Sequence, residues 1–335
     1  MEQPRADLLG HHGDVDATPG LLDFAVNVRG SAPPAWLRAR LVARLDDLGR
    51  YPSAADDRTA RTAVATRHGR APEEVLLLAG AAEGFALLPR LAPRLAAVVH
   101  PAFTEPELAL REAGVPVVRV VLEAPYVLDP ALVPDEADLV VLGNPTNPTS
   151  VLHPAATLHA LRRPGRLLVV DEAFLDAVVG ETGSLAGEAL PDVLVLRSLT
   201  KTWALAGLRA GYVLGAPDVL ARLAHGRPHW PLGTLQLEAV AACSEPAAVA
   251  WAQREAGVIA AERTHMEAAL GLAPGAAGPF LLLHVPGGDG VREHLRRHGI
   301  AVRRGDTFPG LGPDHLRLAV RGAAEVAALL AAWPA

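Results

Sequence analysis

The sequence predicts an α/β protein with a mainly parallel, seven-stranded sheet in a large domain and a smaller α+β domain beside it. Three observations carry this. Seven short Val/Leu-rich runs alternate with helical stretches through the middle of the 335-residue chain. The runs are continuously apolar rather than alternating, which suits strands buried on both faces. Both ends of the chain lack that rhythm and read as helices with a few short strands.

In order, the runs are "EVLLLAG" (74–80), "LAAVVHP" (95–101), "PVVRVVL" (116–122), "ADLVVLGNP" (137–145), "RLLVVDEAF" (166–174), "DVLVLRSL" (192–199) and "AGYVLG" (210–215). The stretches "AEGFALLPRLA", "TEPELALREAG" and "AATLHALRR" read as helices between them, the signature of a parallel sheet. "AGYVLG" follows the sixth run too closely for a helical crossover, so it is expected to run antiparallel to its neighbours. Residues 51–226 are expected to form the large domain. Residues 1–50, loop-rich and then helical, and residues 227–335 are expected to form the arm and the smaller domain.

Bulk properties exclude several classes. A net charge of −6 with scattered Lys and Arg argues against nucleic acid as a partner. Cys243 is the only cysteine, so no intramolecular disulfide or thiolate metal cage is available. No metal site is expected, because no His/Asp cluster with ligand spacing accompanies Asp171 and Glu172. The N-terminal residues lack the apolar core of a secretory leader, and no run of about 18 apolar residues suggests a membrane span. The chain is read as soluble and cytoplasmic.

Ligands of open α/β sheets sit beyond the carboxyl ends of the strands, so polar residues there matter most. "GAAEG" (80–84) is neither the GxGxxG fingerprint nor a P-loop, yet its helix start could cradle one phosphate. Alone it reads as a tight packing turn, and "NPTNPT" alone as a rigid turn. A lysine after a buried strand is more often a snorkelling surface residue. Together they are harder to dismiss. An anion cradle, a carboxylate ending a strand (Asp171), and a lysine and arginine after a later strand (Lys201, Arg209) converge on one sheet edge. Pyridoxal 5'-phosphate needs this set. A lysine bonds its aldehyde, a carboxylate keeps its ring nitrogen protonated, and hydroxyls, an arginine and a helix start hold its phosphate.

"SLTKTWALAGLRAGY" resembles the lysine motif of the class I/II aminotransferases, the fold-type I pyridoxal-phosphate enzymes, with "NPTNPTS" and "VVDEAF" at the expected distances before it. The resemblance spans nearly the whole chain and is closest to the branch of histidinol-phosphate aminotransferase and threonine-phosphate decarboxylase. It implies the aspartate aminotransferase-like fold. It implies that Lys201 bonds the cofactor and moves the proton, and that Asp171 faces the ring nitrogen. Asn147 would donate to the ring oxygen, and Phe103 would stack on the ring. Ser198, Arg209 and the N–H groups of Ala81 and Ala82 would hold the phosphate. Tyr51 would reach the phosphate in a partner subunit, making a homodimer. Arg317 would grip a substrate carboxylate, with Arg321 as a second anion ligand.

Three details favour the decarboxylase. Phe174 stands where aminotransferases carry tyrosine, and "HHGD" resembles a motif whose first histidine, here His11, lies near the substrate phosphate. "LLDFAVN", ending at Asn27, resembles a substrate-side segment. Against this, Arg29 and Gly30 replace the Asn and Pro of that family's loop, and Ser150 replaces a glycine. The leading expectation is decarboxylation of threonine phosphate for cobalamin biosynthesis. The alternative is a histidinol-phosphate-type aminotransferase using 2-oxoglutarate. Sequence does not show which bond breaks.

Overall fold

The Val and Leu runs become strands wherever both faces of the backbone can be covered. The computed structural model describes residues 9–334. A one-turn helix α1 (Gly13–Asp16), strand β1 (Leu22–Asp23) and helix α2 (Ala35–Val42) lead into α3 (Ala54–His68). Ser53 caps α3 by a reciprocal bond with Asp56, and Gly69 ends it in the left-handed region at φ 63°. Then β2 (Val75–Leu78), α4 (Ala81–Leu87), β3 (Ala96–His100), α5 (Glu105–Glu112) and β4 (Val117–Val121) alternate. They are followed by β5 (Leu139–Gly143), α6 (Ala155–Ala160), β6 (Leu167–Asp171), β7 (Val193–Ser198), β8 (Gly211–Leu214) and α7 (Pro217–Ala224).

Strands β2 to β8 form the expected seven-stranded sheet, in the order β2-β8-β7-β6-β5-β3-β4. β3, β4, β5, β6 and β7 pair in parallel, while β8 runs antiparallel to both β2 and β7, as its short connection requires. The crossover helices cover both faces. On one face Leu78, Val141, Val169 and Leu196 pack with Phe85, Leu110 and Leu223 of the helices. On the other, Leu77, Val140, Val170, Val195 and Tyr212 form a larger core. Each fully buried Leu or Val contributes about 1.5–3 kcal/mol by leaving water.

That larger core draws on both flanks of the chain. Leu37 of α2 joins it, as do Leu237, Val240 and Cys243 of α8 (Thr234–Ser244) and Ala252 of α9 (Pro246–Ala269). Pro246 separates α8 from α9, because proline is tolerated at the first turn of a helix but not within one. The remaining elements are β9 (Phe280–His284), α10 (Gly288–Arg297), β10 (Ile300–Ala301), β11 (Arg303–Arg304), β12 (His315–Ala319) and α11 (Ala323–Ala331). β11, β12 and β9 form an antiparallel sheet, and β1 pairs with β10. Their core holds Phe24, Met266, Leu281, Leu316, Leu318 and Leu329. That core draws on both chain ends, Phe24 from one and residues 266–329 from the other. Among the described residues, no helix is long and apolar enough to cross a membrane.

Candidate active site

A cavity of about 420 Å³ opens where the carboxyl ends of the sheet strands meet the β11-β12-β9 sheet. Several of its lining residues follow the carboxyl ends of the sheet strands, and others come from β12 and the N-terminal arm. Ala82 opens α4 after β2, and Phe103 follows β3. Asn147 follows β5, and Phe174 follows β6. Lys201, Ala206 and Arg209 lie on the β7–β8 connection, and Arg317 on β12. His11 and Asn27 enter from the N-terminal arm.

Asp171 is the last residue of β6, and its carboxylate accepts the Ala173 N–H at 3.0 Å. Burial pushes its carboxyl up to about 6, against the pull of that N–H and of Lys201. Lys201 moves the other way. Burial, reinforced by Arg317 and Arg209, lowers its ammonium to about 8, with Asp171 and Asp14 opposing. An amine in this state is a better nucleophile at neutral pH than a surface lysine. Its Nζ stands 5.9 Å from the centre of the Phe174 ring, which packs edge-on against Phe280.

Asn147 Oδ1 accepts from Arg317 Nη1 at 2.8 Å, which leaves its amide NH₂ as the donor that a ring oxygen would need. Arg317 is buried. Its Nη2 donates to the Ala25 carbonyl, while its Nε has no partner. Burial makes that guanidinium give up its proton more readily, with Arg303, its cross-strand neighbour, adding to the effect. An incoming anion would restore it.

Arg209 sits at φ 59°, a left-handed backbone rare for a long side chain. Its carbonyl accepts from Gln236 Nε2 at 2.6 Å, and its Nη1 donates to the Ala206 carbonyl at 3.2 Å. Gly80 makes room for it. A Cβ on Gly80 would lie 2.8 Å from Arg209 Nη2, and Gly80 itself is at φ 81°. Ser198 is buried, and its Oγ bonds Thr200 Oγ1 at 2.7 Å.

Tyr51, Ala81, Asp171, Ser198 and Arg321, all named from sequence, are not among the residues that line the cavity. Tyr51 is 75 % exposed and stacks on the exposed Trp230 at 4.1 Å between ring centres. Arg321, expected to bind an anion, spends Nε, Nη1 and Nη2 on the carbonyls of Asp23, Val320 and Val26. The structure thus places it as a clamp on the arm. His11 does line the cavity, with Nε2 3.3 Å from Asp16 Oδ2.

Sequence reasoning missed His12, Glu105 and Arg303. His12 Nε2 bonds Glu105, and its ring lies 5.4 Å from that of Phe103. Arg303 is buried, reaching Asp16 Oδ2 at 3.2 Å, Thr307 Oγ1 at 2.7 Å and the His11 carbonyl at 2.7 Å. The available signal was "AVRRGD", in which strand alternation sends one arginine of the pair inward.

The residues fit pyridoxal phosphate on two independent observations. Both amide atoms of Asn27 are buried at the cavity without a protein partner, which calls for a polar ligand or water. The Gly80–Arg209 approach forms a cationic corner that any side chain at position 80 would fill. Such a corner and such a lysine, at the carboxyl edge of a sheet wound this way, define a cofactor enzyme of the aspartate aminotransferase-like fold. The chain belongs to the aminotransferase class I and II family, whose model matches residues 20–332. Its cofactor is pyridoxal phosphate.

Among curated relatives, a histidinol-phosphate aminotransferase of Mycobacterium bovis is 61 % identical over 316 residues, covering 93 % of this chain and 86 % of the relative. A threonine-phosphate decarboxylase of Salmonella typhimurium is 32 % identical over 93 % of this chain and 90 % of its own length. The solved structure of a histidinol-phosphate aminotransferase from Clostridium acetobutylicum superposes with a TM-score of 0.83 at 22 % identity. It covers 93 % of this chain and 98 % of that one, a likeness of fold.

Proposed function

We propose that this protein is a histidinol-phosphate-type aminotransferase, moving an amino group from a phosphorylated amino compound to 2-oxoglutarate. The observation that carries this is the 61 % identity to the mycobacterial enzyme over 93 % of the chain. It reverses the order suggested by Phe174, His11 and Asn27, which favoured threonine-phosphate decarboxylase. The decarboxylase stays as the second reading because a relative of that name aligns over 93 % of the chain at 32 % identity.

In this reading Lys201 holds the cofactor and carries the proton at the substrate's reacting carbon. Asp171 pairs with the ring nitrogen, and Asn147 donates to the ring oxygen. Phe103 lies against the ring, and Arg209, Ser198 and the first N–H groups of α4, from Ala81 and Ala82, take the phosphate. Pyridoxal phosphate supplies an electron sink for the bond that breaks. Arg317, with its free Nε, would orient the substrate anion and so select which substrate bond is cleaved. Asn27 and His11 complete the substrate side. We also propose a homodimer in which Tyr51, exposed in one chain, reaches the other's site.

The test uses purified protein. Histidinol phosphate with 2-oxoglutarate is expected to yield glutamate. Threonine phosphate is expected to release no CO₂ without a keto-acid acceptor. Acceptor-independent CO₂ release with no glutamate formed would reverse the two readings.

A further inference from the structure

The ends of β6 and β7 each place two neighbouring residues on opposite faces of the sheet. Asp171 and Ser198 follow the side-chain parity of Val169 and Leu196, which face the cofactor side with Phe85 and Phe103. Glu172 and Arg197 follow the parity of Val170 and Val195, which face the opposite core. There, both side chains are about 1 % exposed. Arg197 Nη1 donates to Glu172 Oε2 at 3.0 Å, bridging the two strand ends directly.

Each partner is held from a second direction. Glu172 accepts from Ser184 Oγ at 2.7 Å and from the Leu185 N–H at 2.8 Å. Arg197 Nη2 donates to Asp176 and, at 2.6 Å, to Glu181. Arg67 of α3 completes the group, donating to Asp176 at 2.9 Å and Glu181 at 2.7 Å. The Glu172 N–H also donates to the Leu196 carbonyl at 2.9 Å, so the side-chain bridge sits directly on the last rung between the strands. A buried pair of this kind is weak evidence for net stability, because desolvation offsets attraction. Its better-attested use is to fix register.

We propose that Glu172 and Arg197 are positioning residues: their ion pair on the far face of the sheet locks the β6 and β7 ends and so sets where Asp171 and Ser198 meet the cofactor. This rests on the reading of Asp171 as the ring-nitrogen partner and Ser198 as a phosphate ligand. The bridge touches neither substrate nor cofactor. It acts because a side chain on a strand cannot move independently of the residue next to it.

The experiment measures the apparent dissociation constant of pyridoxal phosphate and the pH midpoint of the bound cofactor's visible band. Full-length Asp171→Asn, Glu172→Gln, Ser184→Ala and Arg67→Met proteins are compared, with thermal unfolding recorded for each. Asp171→Asn sets the direction of the midpoint shift and tests the underlying reading. If that variant binds and titrates like wild type, the reading itself is wrong. Glu172→Gln is expected to weaken cofactor binding on the order of tenfold, because a charge-assisted pair between the two strand ends is lost. It should shift the midpoint in the same direction as Asp171→Asn, but less. Ser184→Ala, which removes one hydrogen bond from Glu172, should do the same on a smaller scale and serves if Glu172→Gln does not fold. Arg67→Met should lower the melting temperature while leaving both cofactor readouts unchanged. The proposal is overturned if Glu172→Gln and Ser184→Ala leave both readouts at wild-type values, or if Arg67→Met moves them as far as Glu172→Gln does.

Discussion

Lys201 carries its proton at a disadvantage. With its pKa drawn from the usual 10.5 to about 8, the folded protein binds fewer protons than the unfolded chain between those values. The cost to folding is therefore full below about pH 8 and absent above about 10.5. Cofactor-free Lys201→Met protein is expected to be more stable than cofactor-free wild type at pH 7 by up to about 3 kcal/mol. The gap should close as pH rises through that window. Denaturant titrations at several pH values check this, and a gap independent of pH would mean that the ammonium is well hydrated. In the loaded enzyme, borohydride should bleach the yellow of wild type, while Lys201→Met should show no such band at all. Phe174 offers a second residue-scale test. It lacks the hydroxyl that would donate to the ring oxygen, yet it lines the cavity. A Phe174→Tyr variant is expected to lower the pH midpoint of the visible band, because the new donor stabilises the deprotonated form. Identical titrations would place position 174 away from that oxygen.

The element that most constrains the site is the turn between β2 and α4. Gly80→Ala adds a Cβ in a left-handed conformation and sets it against the Arg209 guanidinium. At φ 81° and ψ 161°, a region open essentially to glycine alone, the backbone strain costs about 1–3 kcal/mol. Cofactor affinity is expected to fall with stability, as equilibrium dialysis and melting would show together. The arm segment after β1 is the second constrained element. The Arg29 N–H donates to the Lys201 carbonyl at 3.0 Å, and its Nη1 reaches Glu262 of α9 at 2.5 Å. Arg29→Asn is expected to raise KM a few-fold with little change in kcat, since a half-exposed ion pair contributes about 0.2–1 kcal/mol. A large loss of kcat with KM unchanged would argue instead for a part in the chemistry. Elements of this kind separate what could be read in advance from what could not. The seven strands were legible because a strand covered on both faces leaves an uninterrupted apolar run, and the short β7–β8 connection betrayed the antiparallel member. That Lys201, Arg209, Asn147 and Phe103 would gather at one cavity was legible because each follows a strand end. Arg303 and His12 were not, because their partners Asp16 and Glu105 come from other parts of the chain. The carbonyls that Arg321 bonds were not legible either, because those of Asp23 and Val26 lie at the other end of the chain.

For the whole molecule, the exposed pair of Tyr51 and Trp230 bears on assembly. Two stacked aromatic rings with more than half of each residue exposed are unusual on a free surface. Sedimentation equilibrium is expected to find a dimer, and Tyr51→Ala to weaken both dimerisation and cofactor retention. A monomer that keeps the cofactor as tightly as wild type would exclude a shared site. The sheet order has a further consequence at this scale. Because β8 turns back beside β7, the segment from Val193 to Leu214 is a hairpin whose open loop carries both Lys201 and Arg209. On the proposed reading, the residue that bonds the cofactor and the one that takes its phosphate thus travel as one cassette. A circular permutation that reopens the chain after Gly215 leaves that cassette whole, whereas one that cuts between Leu199 and Ala210 breaks it even if every strand still pairs.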